Sequence, residues 1–236
     1  MRLLITRPEP DGDRTGEILL RLGHRVVQAP MLRRVKLAQP EVDLAPAAIA
    51  FTSRNAIRAV QDWPVAAKWK DLPVFTVGEA SAEAAMEVGF SDVRSAKGAG
   101  ADLAAKISGA LSRDATVLYP NANERSDGFE NEMQKAGFKL VAIEAYRMEE
   151  ARALPGEIVR QLNAGEIDGV LLYSERTARV FAGLAEKAGC AAACQGLQFY
   201  VLSARIAAVL APLQGARTLI AGKPDEEHLI HLIPRR

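Results

Sequence analysis

The chain has 236 residues, the size of one large domain or two small ones. Hydrophobic residues make up 49% of it, enough for proper cores, and its net charge of +1 lacks the basic bias of a dedicated nucleic-acid binder. No apolar run approaches the ~18 residues of a membrane span, and "MRLLITRPEP" lacks the longer apolar core and cleavage site of a signal peptide, so a soluble cytoplasmic protein is expected.

That opening instead predicts an edge-to-core β-strand ending at Pro8. An amphipathic helix follows and stops at Gly23, where positive φ is wanted. A strand and then "MLRRVKLAQPEVD" (31–43), extended and charged, form a first candidate connection. In "IAFTSRNAIRAV" (49–60) an apolar run stops at Thr52 and Ser53, then resumes with helical spacing at Ala56, Ile57 and Val60. "VFTV" (74–77) leads into a second corner holding Gly78 and Ser81, and "KGAGAD" (97–102) reads as a loop before a helix. "TVLY" (116–119) opens a unit with Arg125 in its polar loop, a helix stop at Gly137 and a last strand closing on Tyr146. "YRMEEARALPGE" (146–157) is the second candidate connection; "VLLYSERTARVF" (170–181) repeats the corner at Ser174, and "FYVL" (199–202) ends beside Ser203. The strands are continuous apolar or β-branched runs, the pattern of parallel strands covered on both faces.

The chain also repeats itself. At an offset of 114, Ile5 meets Tyr119, Leu19 meets Met133, Gly23 meets Gly137 and Arg33 meets Arg147. An offset of 121 pairs Ser53 with Ser174, and one of 125 pairs Gly78 with Ser203 and Ala82 with Ala207. The units run A, B, C, A′, B′, C′, with strands alternating with helices, which predicts two similar doubly wound parallel-sheet α/β lobes. Both connections follow an A-type unit, so the chain is expected to leave one lobe early, build the other and return. Residues 1–34 and 150–236 then form a discontinuous first lobe and 40–145 the second.

Ligands of open α/β sheets sit beyond the carboxyl ends of strands. There the sequence places Thr6, Arg7, Thr52, Ser53, Thr76 to Ser81, Ser174 and Ser203. Helix N-termini at such corners offer unpaired N–H groups and partial positive charge, and several facing one cleft would bind a polyanion. Arg7, Arg54, Arg125, Arg176 and Arg205 stand beside them. The plainer alternative makes Ser53, Ser81 and Ser174 N-caps worth ~1 kcal/mol each, and the arginines solvated surface residues. No phosphate loop, dinucleotide fingerprint or nucleophile elbow is present, which disfavours a nucleotide-dependent transferase. His24, His228 and His231 lack a further ligand for a metal site, and Cys190 and Cys194, in an Ala-rich stretch, read as buried thiols. Chemistry without metal or nucleotide cofactor is expected, with a non-catalytic polyanion-binding or regulatory module as the alternative.

"LLITRP", "PMLRR", "FTSRNAI", "TVGEASAEAA", "LYPNANERSDGFENEMQKAGFKLVAIEAYR" and "AGKPDEEHLIHLI" occur in the order seen in uroporphyrinogen-III synthases, and the chain resembles that family over nearly its whole length. The most telling elements are F-T-S-x-x-A-[IV] at 51–57, V-G-x-x-[ST]-A at 77–82, and Tyr146-Arg147 closing A′. The resemblance implies two flavodoxin-like lobes joined by a two-stranded linker, here residues 35–39 and 146–149. It implies cofactor-free cyclisation of hydroxymethylbilane, a linear tetrapyrrole polycarboxylate, to uroporphyrinogen III with the terminal pyrrole inverted; a monomer is the default expectation, which the residues leave open. By position it assigns Tyr146 to assisting departure of the hydroxyl. Arg7, Thr52, Ser53, Arg54, Gly78, Ser81, Arg125, Ser174 and Ser203 are the expected substrate contacts. Ser203 for Gly, Ile206 where a hydroxyl is common, and "PNANER" for a more glycine-rich loop depart from the pattern.

Overall fold

The computed structural model describes residues 1–41, 45–98, 100–123, 128–213 and 215–234. In chain order its elements are β1 (Arg2–Ile5), α1 (Asp11–Arg21), β2 (Arg25–Gln28), β3 (Leu32–Lys36), β4 (Ala48–Phe51), α2 (Arg54–Val60), β5 (Pro73–Val77), α3 (Glu79–Glu87), β6 (Asp92–Ala96), α4 (Gly100–Ser108), β7 (Thr116–Ala122), α5 (Gly128–Lys135), β8 (Lys139–Glu150), α6 (Gly156–Asn163), β9 (Gly169–Leu172), α7 (Glu175–Lys187), β10 (Gln198–Val201), α8 (Ala204–Val209), β11 (Arg217–Ile220) and α9 (Glu226–His231). Contacts divide the chain into two units, Met1–Arg33 with Glu149–Arg236, and Arg34–Met148. The chain passes from the first to the second within β3 and returns within β8.

The first unit holds a sheet in the order β11-β10-β9-β1-β2, every adjacent pair parallel. Numbered within the unit, that is the 2-1-3-4-5 order of a flavodoxin-like sheet. The second unit's sheet runs β3-β8-β7-β4-β5-β6, parallel from β8 to β6. Its β8, β7, β4, β5 and β6 take the places of β2, β1, β9, β10 and β11, so both sheets share one spatial order although the chain enters them at different strands. The repeat reaches beyond C and C′: β6 and α4 follow α3 as β11 and α9 follow α8.

Alternation along the strands places side chains on two covered faces. Ile49 and Phe51 of β4 join one core cluster with Ile57, Trp63, Trp69 and Leu118. Ala48 and Ala50 join the other, where Phe75, Tyr119, Phe129 and Met133 fill the space that the alanines leave. In the first unit Leu3 and Ile5 pack with Leu19, Leu171, Tyr200 and Leu229.

β1 ends at Ile5, before the predicted Pro8, and lies inside its sheet between β2 and β9. Leu3, Leu4 and Ile5 are fully buried in succession, which requires cover on both faces and neighbours at both edges. The A unit and its copy also differ. A single strand, β8, does in A′ what β2 and β3 do in A, where Pro30, lacking an N–H, falls in the gap between them. Both helices end alike. Gly23 (φ 82) and Gly137 (φ 78) donate to Leu20 and Gln134, and the following residues, His24 and Phe138, donate to Leu19 and Met133. These are Schellman stops, which need a left-handed residue after the helix. Among the described residues no helix is long and apolar enough to cross a membrane.

Candidate functional site

In each sheet the connections diverge from one boundary: β4 leads to β5 on one side while β7 leads to β8 on the other, and β9 and β1 do the same in the first unit. Such a switch point is where a doubly wound sheet opens a crevice at its strand carboxyl ends.

At the second unit's switch point Thr52 Oγ1 lies 2.9 Å from the hydroxyl of Tyr119, a buried residue whose ring meets Phe129 edge-on at 4.9 Å. Ser53 is the N-cap of α2, and its Oγ accepts from the Asn55 amide at 3.1 Å. The Tyr146 hydroxyl donates to the same Oγ at 3.5 Å. A serine hydroxyl accepts twice and donates once; with both acceptor positions in use, the Ser53 proton is left to be given to an incoming acceptor. Asn55 in turn accepts from Arg34 Nη1 of β3 at 2.7 Å. Tyr146 comes to this corner through a break in register, since Asn121 pairs with Glu144 but Ala122 pairs with Tyr146. A bulge of this kind re-aims a side chain at the end of a strand. Asn121, 3% exposed, donates from Nδ2 to the Tyr119 carbonyl at 3.0 Å, and its Oδ1 has no partner among the described residues.

Arg54 opens α2 beside this cluster, half-buried. Gly78 and Ser81 belong to the next corner, where Gly78 (φ 75) is the N-cap of α3 and supplies no side chain. Because that glycine turns the chain directly into a helix starting at Glu79, Ser81 falls within the first turn, buried, and is not the cap that its place after a strand predicts. Arg125 lies outside the described residues.

In the first unit Ser174 caps α7, accepting from the Thr177 amide at 3.1 Å, and Ser203 caps α8, accepting from the Ile206 amide at 3.4 Å. Ser203 is extended (φ −157), whereas its counterpart Gly78 is left-handed. The first unit can therefore carry a serine where the other needs glycine. Ile206 is buried as core. Arg7 follows β1 and is held by Glu226, with Nη1 to Oε1 at 2.9 Å, and by Asp11 at 3.3 Å. Tyr173 also reaches Glu226, at 3.1 Å, and burial together with that carboxylate pushes its phenol well above the ordinary tyrosine range.

The structure thus brings Thr52, Ser53 and Tyr146 together, keeps Gly78 and Ser81 one strand away, and places Arg7, Ser174 and Ser203 at first-unit corners. Sequence reasoning missed Tyr119, Asn55 and Arg34 around Ser53, and Thr15, Tyr173 and Glu226 around Arg7. Tyr173 carried a signal, since it ends the run "VLLY" directly before Ser174. Cys190 and Cys194 are buried thiols, their Sγ atoms each 3.4 Å from a backbone carbonyl, and burial pushes Cys194 up to about 12.

Residues 13–231 match the family model described as Uroporphyrinogen-III synthase HemD. The chain belongs to the uroporphyrinogen-III synthase family. None of the curated proteins compared matches it in sequence. The uroporphyrinogen-III synthetase of Helicobacter pylori 26695 superposes with a TM-score of 0.65 at 17% identity, over 98% of each chain. A mutant uroporphyrinogen III synthase of the extreme thermophile Thermus thermophilus superposes with a TM-score of 0.51 at 13% identity, covering 98% of this chain and 96% of that one. At such identities the superpositions show the shared fold of uroporphyrinogen-III synthases, and family membership stands on the model match. Of the three elements on which the sequence resemblance rests most, "FTSRNAI" and "VGEASA" form the β4 and β5 corners and Tyr146-Arg147 lies in β8.

Proposed function

We propose that the chain cyclises hydroxymethylbilane to uroporphyrinogen III, inverting the terminal pyrrole ring with loss of water. The observation that carries this is the family match over nearly the whole chain. The Tyr146–Ser53–Thr52 cluster supports it with chemistry suited to the reaction.

In this reading the substrate supplies most of the drive. A pyrrole nitrogen lone pair helps expel the terminal hydroxyl, which takes up a proton and leaves as water. The substituted carbon of the last ring then attacks the methylene carbon. The resulting spiro intermediate breaks the bond from the substituted carbon to its original methylene, and the ring's free α-carbon bonds to the released methylene carbon, losing its proton as aromaticity returns. The protein's task is to hold the flexible chain in one geometry and to exclude direct closure, which is catalysis by positioning. Tyr146 turns its single proton from Ser53 Oγ to the departing hydroxyl, and Ser53 then donates its own proton to the phenol oxygen and holds it in place. The N–H groups and hydroxyls at Thr52, Ser53, Arg54, Gly78 and Ser81 bind substrate carboxylates from the second unit. Arg7, Ser174 and Ser203 do so from the first, with Arg125 from the second. The reading includes no metal or nucleotide cofactor and takes the enzyme as a cytoplasmic monomer.

The test is consumption of hydroxymethylbilane by purified protein. The proposal requires it to outrun spontaneous closure, and a rate equal to the protein-free control would reject it.

A further inference from the structure

One oxygen of Glu226, Oε1, faces three donors: Arg7 Nη1 at 2.9 Å, the Tyr173 hydroxyl at 3.1 Å, and the Thr15 hydroxyl, whose one proton also lies within reach of the Asp11 carbonyl at 2.9 Å. Arg7 itself lies 4.2 Å over the centroid of the Tyr173 ring, which fixes the plane of its guanidinium. The donors come from the end of β1, from α1 and from the end of β9, the elements that meet at the first unit's switch point. The carboxylate comes from α9, at the far end of the chain. An arginine, a threonine and a protonated tyrosine converging on one carboxylate oxygen constitute a carboxylate-binding site, and it stands where this sheet type binds ligands. The common fold does not require it. At the equivalent positions of the second unit Arg7, Thr15 and Tyr173 become Asn121, Phe129 and Thr52, with no charge among them.

We propose that this is a substrate-carboxylate subsite which the chain's own Glu226 fills in the free protein and which the substrate takes over by exchange. The inference rests on the cyclase reading for the identity of the incoming carboxylate. Exchange is close to balanced because the newcomer recovers the donors that Glu226 gives up, while Glu226, whose side chain is 24% exposed, returns to water. Self-occupancy weakens apparent affinity by the fraction of time for which the subsite is open.

The test measures uroporphyrin III binding to the full chain by fluorescence titration. If the subsite is open about a tenth of the time, Glu226→Ala binds about tenfold tighter than wild type, and adding Arg7→Ala removes the gain. Equal or weaker binding by Glu226→Ala overturns the proposal, as does a gain that survives Arg7→Ala. Should Glu226→Ala fail to fold, Glu226→Gln keeps the shape without the charge and is expected to tighten binding by a smaller factor; no tightening overturns the proposal equally. A wild type that forms only the type I isomer overturns the cyclase reading and leaves the binding comparison standing. Type III formation with unchanged uroporphyrin affinity overturns the Glu226 exchange alone.

Discussion

The Tyr146 hydroxyl donates to Ser53 Oγ at 3.5 Å, joining the late part of β8 to the residue that caps α2. The two positions are 93 residues apart, and the contact exists because β8 and β7 shift register where β7 ends. One serine thereby starts a helix and orients a phenol, and the two duties separate under mutation.

Tyr146→Phe removes the donor and keeps the ring, which is 6% exposed within a core cluster. Stability should change by no more than about 1 kcal/mol, the net value of one hydrogen bond. Turnover should fall by about 100-fold, the low end for a positioned proton donor. Steady-state kinetics and thermal melts decide; unchanged kcat removes Tyr146 from the mechanism.

Ser53→Ala and Ser174→Ala each delete an N-cap and should each cost about 1 kcal/mol in denaturant unfolding. Their kinetics should differ. Ser53→Ala also releases Tyr146 and lowers kcat, while Ser174→Ala raises KM and leaves kcat in place. Equal losses of kcat in both variants would show that the Ser53–Tyr146 contact carries no special weight.

Gly169→Ala should destabilise the first unit by about 1–3 kcal/mol. A Cβ there would stand 2.8 Å from Tyr200 Cε2, 3.0 Å from the Gln198 carbonyl and 3.1 Å from Leu3 Cδ2. The repeat-equivalent position in β4 holds Ala48, with Phe75 in place of Tyr200. Adding Tyr200→Val should recover part of the loss, seen as a coupling above about 0.5 kcal/mol in a double-mutant cycle. Additive effects would contradict the packing argument.

Acid should weaken the first unit through an exposed charge network. Arg160 and then Gln161 hold the Glu157 carboxyl at about 2, below its ordinary 4.5, and Arg160 and Arg2 lower Glu166 as well. Both groups are depressed on folding, so their contribution is present above pH 4.5 and is lost as pH falls toward 2. Melting temperature should drop across that window, less steeply in Glu157→Gln, and the difference should shrink in ~1 M salt, which screens exposed pairs. A parallel acid profile for the variant would contradict the assignment.

The interior strands were legible because burial on both faces leaves an apolar run with no polar interruption, as in "IAFT" and "GVLLY". The edge strands β6 and β11, "DVRSA" and "RTLI", are short, the first half-buried and the second mostly exposed, and neither is a continuous apolar run, so the last part of the repeat lacks the signal that marks the interior strands. Ser53, Ser174 and Ser203 could be read as corner residues because capping is local. Ser81 could not, since its place depends on the backbone angle adopted three residues earlier at Gly78. Contacts far apart in the chain leave no local trace: nothing near Arg7 announces that Glu226, 219 positions later, occupies its guanidinium.

The central claim is that the protein directs ring inversion. The direct measurement is chromatography of the porphyrins obtained by oxidising the product made from hydroxymethylbilane. The account predicts predominantly the type III isomer with wild-type protein. Type I alone, in the proportion formed without protein, would contradict it.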